Sequence, residues 1–68
     1  MIVVCPARLR ALRNHRRLTL VQLAERARLD PGTVYRIEHE APKARRTFTV
    51  RKLAEALDVG EHDIVLPH

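Results

Sequence analysis

The chain has 68 residues, and we treat residues 1–68 as one small domain with a limited hydrophobic core. Thirteen Lys and Arg against eight Asp and Glu give a net charge of +5 and a sequence pI near 10.7. The single cysteine, Cys5, excludes a disulfide framework, and the apolar run before Pro6 is too short for a signal peptide or a membrane span. We therefore expect a soluble, cytoplasmic protein with an acidic partner.

The basic charge is concentrated in the first half of the chain. Residues 1–36 hold eight Arg against two acidic residues, a net charge of +6, whereas residues 37–68 hold five basic and six acidic residues, a net of −1. The only aromatic residues are Tyr35 and Phe48. A basic surface without aromatic platforms favours the backbone of a nucleic-acid duplex over stacking on single strands. A basic helix surface that is merely solvated has the same composition, so the charge alone does not decide.

Catalytic and metal-binding chemistry has no support in the sequence. The four His residues, at positions 15, 39, 62 and 68, show no metal-ligand spacing with Cys5. The chain also has no Ser and no glycine-rich phosphate loop. We therefore expect neither an enzyme nor a metal ion or other cofactor.

The apolar spacing predicts two helices in the first 27 residues. Helix 1 is predicted over residues 7–17, where Leu9 and Leu12 form a narrow apolar stripe. Helix 2 is predicted over residues 20–27, because Thr19 followed by Gln22 three residues later is the capping-box pattern. Residues 1–5 are rich in β-branched side chains and fit either a short strand or an arm that packs on a partner.

A third helix is predicted over residues 31–39 after a short break. Asp30 is the expected N-cap, and Pro31 suits the first helical position, where a missing N–H costs nothing. Val34 and Ile37 are three residues apart and should face the core. Two short helices joined by a turn of three or four residues make a helix-turn-helix.

A polar loop over residues 39–47 should precede helix 4, predicted over residues 50–59. Thr49 is the expected N-cap, with Phe48 and Leu53 in the hydrophobic-staple positions around it.

The segment "EHDIVL" is predicted as one last helical turn, with Ile64 and Leu66 packing back on the core. The predicted fold class is therefore all-α. It is a compact bundle of five short helices with the helix-turn-helix at helices 2 and 3.

The segments "LRALR", "TLVQLAERARLDPGTVYRIE" and "TVRKLAEAL", in this order and spacing, resemble the DNA-binding domain of the lambda repressor and Cro family, also called XRE-type regulators. The resemblance covers about residues 7–66. It implies a bacterial or phage transcription regulator, acting as a repressor, that binds a palindromic operator as a homodimer through the major groove. It also implies a structural ion pair between Arg13 of helix 1 and Glu38 at the end of helix 3.

In such a motif the N-terminal half of the second helix enters the major groove. Arg36 is the main candidate for base reading because its guanidinium matches guanine O6 and N7, and a phosphate contact is the alternative. Tyr35 fits either a phosphate contact or packing on the following loop. Pro31 and Gly32, at the start of this helix, have no polar side chains, so recognition of the DNA sequence leans partly on DNA shape. The predicted base-reading residues are Arg36, Thr33, Tyr35, Gly32 and Pro31.

Phosphate contacts are expected near the start of helix 2, in the turns around it, and in the loop after helix 3. Free N–H groups at helix N-termini and basic side chains both suit phosphate oxygens. Leu20 stands where members of the family often carry a glutamine that holds a phosphate. The predicted phosphate-contacting residues are Thr19, Gln22, Arg28, Lys43, Arg45, Arg46 and Arg17.

A single domain of this size covers one half-site, so specific binding requires a homodimer. The predicted dimer surface consists of the apolar segments near the two ends of the chain, namely Ile2, Val3, Val4, Ile64, Val65 and Leu66. The alternative function is a protein-interaction module, such as an antitoxin that binds a toxin, with secondary or non-specific DNA binding. Recovery of a palindromic consensus from a random duplex library discriminates between the two functions.

Overall fold

The computed structural model describes residues 1–66, so Pro67 and His68 of the predicted domain lie outside the described residues. The elements in chain order are β1 Ile2–Val3, α1 Pro6–His15, α2 Leu20–Ala27, α3 Pro31–His39, β2 Ala44–Arg45, α4 Thr47–Leu57 and a 3₁₀ turn Glu61–Asp63. The predicted count of five helices is therefore corrected for residues 1–66 to four α-helices, one 3₁₀ turn and a two-stranded sheet. No helix within these residues is long and apolar enough to cross a membrane.

Side chains at the N-termini of α2 and α3 fix where these helices begin. Thr19 Oγ1 accepts a hydrogen bond from the Gln22 N–H at 3.1 Å, and Gln22 Oε1 accepts one from the Thr19 N–H at 2.8 Å. The Asp30 carboxylate accepts from the Gly32 N–H at 2.8 Å, and Pro31 occupies the first helical position. Both starts are therefore determined by local side-chain bonds to backbone donors that the helices leave unpaired.

The start of α4 differs from the prediction. The N-cap is Arg46, which has an extended backbone and no side-chain capping bond. Its carbonyl accepts from the N–H groups of Thr49 and Val50 at 3.0 and 3.2 Å. Thr49 therefore lies inside the first turn, and the helix begins three residues earlier than the sequence pattern indicated.

The predicted hydrophobic staple at this helix start is wrong as well. Phe48 is 47% exposed, whereas Leu53 is fully buried. The Lys52 ammonium instead lies 5.2 Å from the centre of the Phe48 ring. Since Phe48 is inside the helix and not before its cap, its ring points to solvent and its partner is a neighbouring cation.

One hydrophobic core joins all four helices, and α2 is at its centre. This helix packs against both α3 and α4. Its small buried side chains, Ala24 and Ala27, allow the neighbouring helices to approach closely. The buried core residues are Val4, Leu9, Leu18, Leu23, Ala24, Ala27, Val34, Ile37, Val50, Leu53, Ala54, Leu57 and Ile64.

The N-terminal segment is a strand that packs within the domain. β1 pairs with β2 in antiparallel register, with Ile2 opposite Arg45 and Val3 opposite Ala44. Its other side contacts the C-terminal segment, where Val4 bridges Val65. The segment 1–5, which the sequence left open, therefore links the loop after α3 to the C-terminal segment.

Two residues of the predicted dimer surface, Val4 and Ile64, are buried within the single chain. Val4 is 2% exposed and Ile64 is fully buried, and both belong to the core of the single chain. The remaining members, Ile2, Val3, Val65 and Leu66, are half-buried. Because the two apolar segments cover one another, much of the surface predicted for a second copy is already used within one chain.

Candidate nucleic-acid interface

The orientation of α3 is fixed by a buried ion pair with α1. Arg13 Nε donates to Glu38 Oε2 at 2.7 Å, and Arg13 Nη2 donates to Glu38 Oε1 at 3.0 Å. Arg13 Nη1 also donates to the Leu18 carbonyl at 2.8 Å, and Arg10 donates to the Glu38 carbonyl at 2.8 Å. Glu38 is fully buried, so the C-terminal half of α3 is held against α1 and the opposite face of α3 is directed outward.

The outward face of α3 carries the residues predicted to read bases. Arg36 is exposed and Tyr35 is 55% exposed, while Thr33 is half-buried. Arg36 Nη2 lies 3.5 Å from Thr33 Oγ1, so these two polar side chains are adjacent on one helix turn. We call Thr33, Tyr35 and Arg36 the reading face.

The two residues without polar side chains open the first turn of α3. Pro31 is exposed and Gly32 is half-buried. A Cβ on Gly32 would lie 2.8 Å from Asp30 Oδ2, the atom that caps its N–H. Glycine avoids this contact with the capping carboxylate, and it leaves the helix start free of bulk where a ligand backbone or base edge could approach closely.

A contact that the sequence analysis missed lies at the end of the reading face. The Tyr35 and His39 rings are stacked, with centroids 4.1 Å apart and an interplanar angle of 12°. His39 Nδ1 lies 3.0 Å from the Tyr35 carbonyl oxygen. The spacing of four residues on a helix was the available signal, because side chains at i and i+4 are neighbours on its surface.

The start of α2 presents hydrogen-bond donors outward. In the capping box the oxygen atoms of the Thr19 and Gln22 side chains accept from backbone N–H groups. Both side chains are exposed, and their remaining groups are the Thr19 hydroxyl proton and the Gln22 amide protons. Donors at a helix N-terminus are the groups that a phosphate oxygen accepts from.

The segment 40–46 between α3 and α4, which we call the basic loop, carries three of the predicted phosphate-contacting residues. Lys43 and Arg46 are exposed, and Arg45 is half-buried within β2. Lys43 Nζ lies 3.7 Å from Glu40 Oε1, and both side chains are exposed, so this pair is weak and leaves the ammonium accessible. The basic loop therefore places positive charge directly after α3.

The remaining two predicted phosphate contacts lie in helix-ending turns. Arg17 and Arg28 both have left-handed backbones, with φ of 55° and 56°. Arg17 is exposed and precedes the cap of α2 by two residues. Arg28 lines a hollow of about 350 Å³ with Arg26, Lys52 and Glu55, between α2 and α4. Arg28 stands in the turn between α2 and α3, two residues before the Asp30 cap.

In the part of the chain up to residue 66, no three or more His, Cys, Asp or Glu side chains are arranged around a common point. Every buried side-chain nitrogen or oxygen atom in this part has a hydrogen-bond partner. The polar groups that remain available for a ligand are therefore on the surface.

Comparison with known proteins agrees with this geometry. The sequence model of the helix-turn-helix domain family matches residues 7–65. The crystal structure of the restriction-modification controller protein C.AhdI from Aeromonas hydrophila is similar over 85% of this chain and 86% of that chain, with 31% sequence identity and a TM-score of 0.78. The search of curated proteins gives no match. The chain belongs to the helix-turn-helix family of XRE-type, DNA-binding transcription regulators.

Proposed function

We propose that this protein binds double-stranded DNA sequence-specifically as a homodimer, with α3 of each copy in the major groove of one half of a palindromic operator. The observation that carries the proposal is the outward placement of the reading face while Glu38, on the same helix, is held by Arg13. A rigidly held helix with an exposed guanidinium is suited to base reading, since geometry and not charge alone selects the base.

Arg36 is the residue that we assign to base recognition. Its guanidinium is exposed, and Thr33 Oγ1 beside it restrains the direction of the side chain. A bidentate contact with guanine discriminates against other bases by roughly 1–3 kcal/mol. Thr19, Gln22, Lys43, Arg45 and Arg46 then supply phosphate contacts on the flanks, which set the register of α3 in the groove.

The homodimer follows from the size of the site, because one α3 covers a single half-site of a palindrome. We propose repression as the regulatory outcome, since occupancy of an operator is sufficient to block an overlapping promoter. The similarity to a restriction-modification controller protein supports a role in gene control. We propose that the protein acts in the cytoplasm, without a catalytic step or a cofactor.

The decisive experiment is selection of binding sites from a randomised duplex library at moderate salt. Recovery of a palindrome with half-sites about one helical turn apart supports the proposal. The Arg36→Ala variant should lose the preference at one position of each half-site, whereas Arg26→Ala, in the hollow between α2 and α4, should recover the same consensus. Salt-sensitive binding without any consensus would instead favour the protein-interaction module, with a toxin or another protein as its partner.

A further inference from the structure

We propose that β1 is a positioning element for the DNA interface, and that it acts by holding the basic loop in the conformation that contacts phosphate. This inference rests on the proposed function, which places α3 in the major groove and assigns phosphate contacts to the basic loop. The regular element of the loop is β2, Ala44–Arg45, and its strand partner is β1. The N-terminal segment would thus contribute to DNA binding without touching DNA.

The directions of the backbone N–H and C=O groups in the N-terminal segment show which residue pairs with the basic loop. The Val3 carbonyl accepts from the Leu66 N–H at 3.0 Å, and the Cys5 N–H donates to the Ile64 carbonyl at 2.8 Å. Hydrogen-bonding groups of successive strand residues point to opposite sides, so those of Ile2 point away from the C-terminal segment. On that other side its partner is Arg45.

β1 is anchored independently of the loop. Val4 is a core residue, and Ile2 packs partly buried against the same core. The bonds to the C-terminal segment hold the strand from its other side. A strand fixed in this way can impose its geometry on a more weakly held neighbour.

The basic loop has few side-chain anchors of its own. Ala41, Pro42, Lys43 and Ala44 are all exposed. Backbone pairing with β1 is therefore the interaction that orders Ala44 and Arg45 in the second half of the loop. A loop that is ordered before binding spares the loss of conformational entropy that a mobile loop would suffer on contact with DNA.

The test compares two substitutions at one position. Ile2→Pro removes the N–H that faces Arg45 and leaves the bonds of Val3 and Cys5 in place, whereas Ile2→Ala trims the side chain and keeps the N–H. The two readouts are amide hydrogen exchange at Arg45 without DNA, and the affinity for a mixed-sequence DNA duplex as a function of salt. A mixed-sequence duplex reports phosphate contacts and does not depend on knowing the operator.

We expect Ile2→Pro to accelerate exchange at Arg45, to weaken duplex binding about tenfold, and to flatten the salt dependence because fewer phosphates are neutralised. Ile2→Ala trims the packing of Ile2 on the core but keeps the N–H, so it should exchange more slowly at Arg45 and bind the duplex more tightly than Ile2→Pro. Urea unfolding checks that each variant is folded. If Ile2→Pro does not fold, removal of residues 1–2 provides the same test.

Two results would overturn the inference in different ways. Unchanged affinity of Ile2→Pro, combined with weaker binding of a Lys43→Gln/Arg46→Gln double variant, would mean that the loop contacts DNA without needing β1. Equal binding of the double variant and the parent protein at every salt concentration would remove the basic loop from the interface. In that case the phosphate contacts that the proposed function assigns to the basic loop are wrong, and the inference fails with them.

Discussion

Arg13 and Glu38 join α1 to α3 through two parallel hydrogen bonds of 2.7 and 3.0 Å, and the third nitrogen of the same guanidinium donates to the Leu18 carbonyl before α2. One side chain therefore connects α1 to α3 and to the turn that precedes α2. The planar fork of arginine allows this, whereas a lysine ammonium could not satisfy a carboxylate bidentately and a carbonyl in the same plane.

Replacement of Glu38 by Gln should be strongly destabilising. The change removes the charge partner of Arg13 in a site where the carboxylate is fully buried, and loss of one member of a buried pair costs about 3 kcal/mol. Urea unfolding followed by circular dichroism measures the free energy of unfolding. Glu40→Gln is the matched control, because its pair with Lys43 is exposed and its loss should cost less than about 0.5 kcal/mol. Equal effects of the two changes would show that the buried pair does not stabilise α3.

Replacement of Arg28 by Gly should raise stability. Arg28 has a left-handed backbone with φ of 56°, a conformation that costs a residue with a Cβ about 1 kcal/mol and glycine almost nothing. Thermal unfolding should therefore show a higher Tm for Arg28→Gly. Arg28→Ala separates backbone from charge, since it keeps the Cβ but removes the guanidinium near Arg26 and Lys52. An equal gain from both variants would assign the effect to charge repulsion in the hollow.

The two threonines predicted as helix caps should respond differently to alanine. Thr19→Ala removes a side-chain acceptor that bonds the Gln22 N–H, which should cost about 1 kcal/mol of unfolding free energy. Thr49→Ala should cost clearly less, because α4 begins at Thr47 and the Thr49 side chain makes no capping bond. A larger loss for Thr49→Ala in urea unfolding would place the start of α4 at the position indicated by the sequence pattern.

Arg36 and Lys43 should affect DNA binding in distinguishable ways. Arg36→Ala should weaken binding to the selected operator by roughly 1–3 kcal/mol and affect binding to a mixed-sequence duplex much less. Lys43→Ala should weaken both by similar factors and lower the steepness of the salt dependence by about one phosphate contact. Fluorescence anisotropy with both duplexes measures the two effects. If Arg36→Ala also weakens both duplexes alike, Arg36 contacts phosphate and reads no base.

Local signals explain why the motif could be predicted. Thr19 and Gln22 determine the start of α2, and Asp30 and Pro31 determine the start of α3. The capping bonds join residues that are at most three positions apart in the sequence. These bonds form within the segment itself, so the residue pattern alone specified both helices of the motif. The predicted limits of residues 20–27 and 31–39 agree with the structure.

The parts that could not be predicted depend on contacts between distant segments. β1 and β2 each have two residues and pair across about 40 positions, so no periodicity marks them. Val4 and Ile64 are buried where the N-terminal segment contacts the C-terminal segment. This contact also joins distant residues and has no local signal, which is why both residues were assigned to a dimer surface. At α4, the segment "TFT" contains two threonines, and the sequence pattern favoured Thr49 as the cap. In the structure both threonines lie inside the helix, and its first hydrogen bonds are to the Arg46 carbonyl.

The contact between His39 Nδ1 and the Tyr35 carbonyl determines which hydrogen-bonding group His39 presents at the end of α3. A carbonyl oxygen can only accept, so the proton of neutral His39 is on Nδ1, which faces the Tyr35 carbonyl at 3.0 Å. The outward Nε2 is then a lone pair. It can accept from an amino group of adenine or cytosine, but it repels the oxygen of a phosphate.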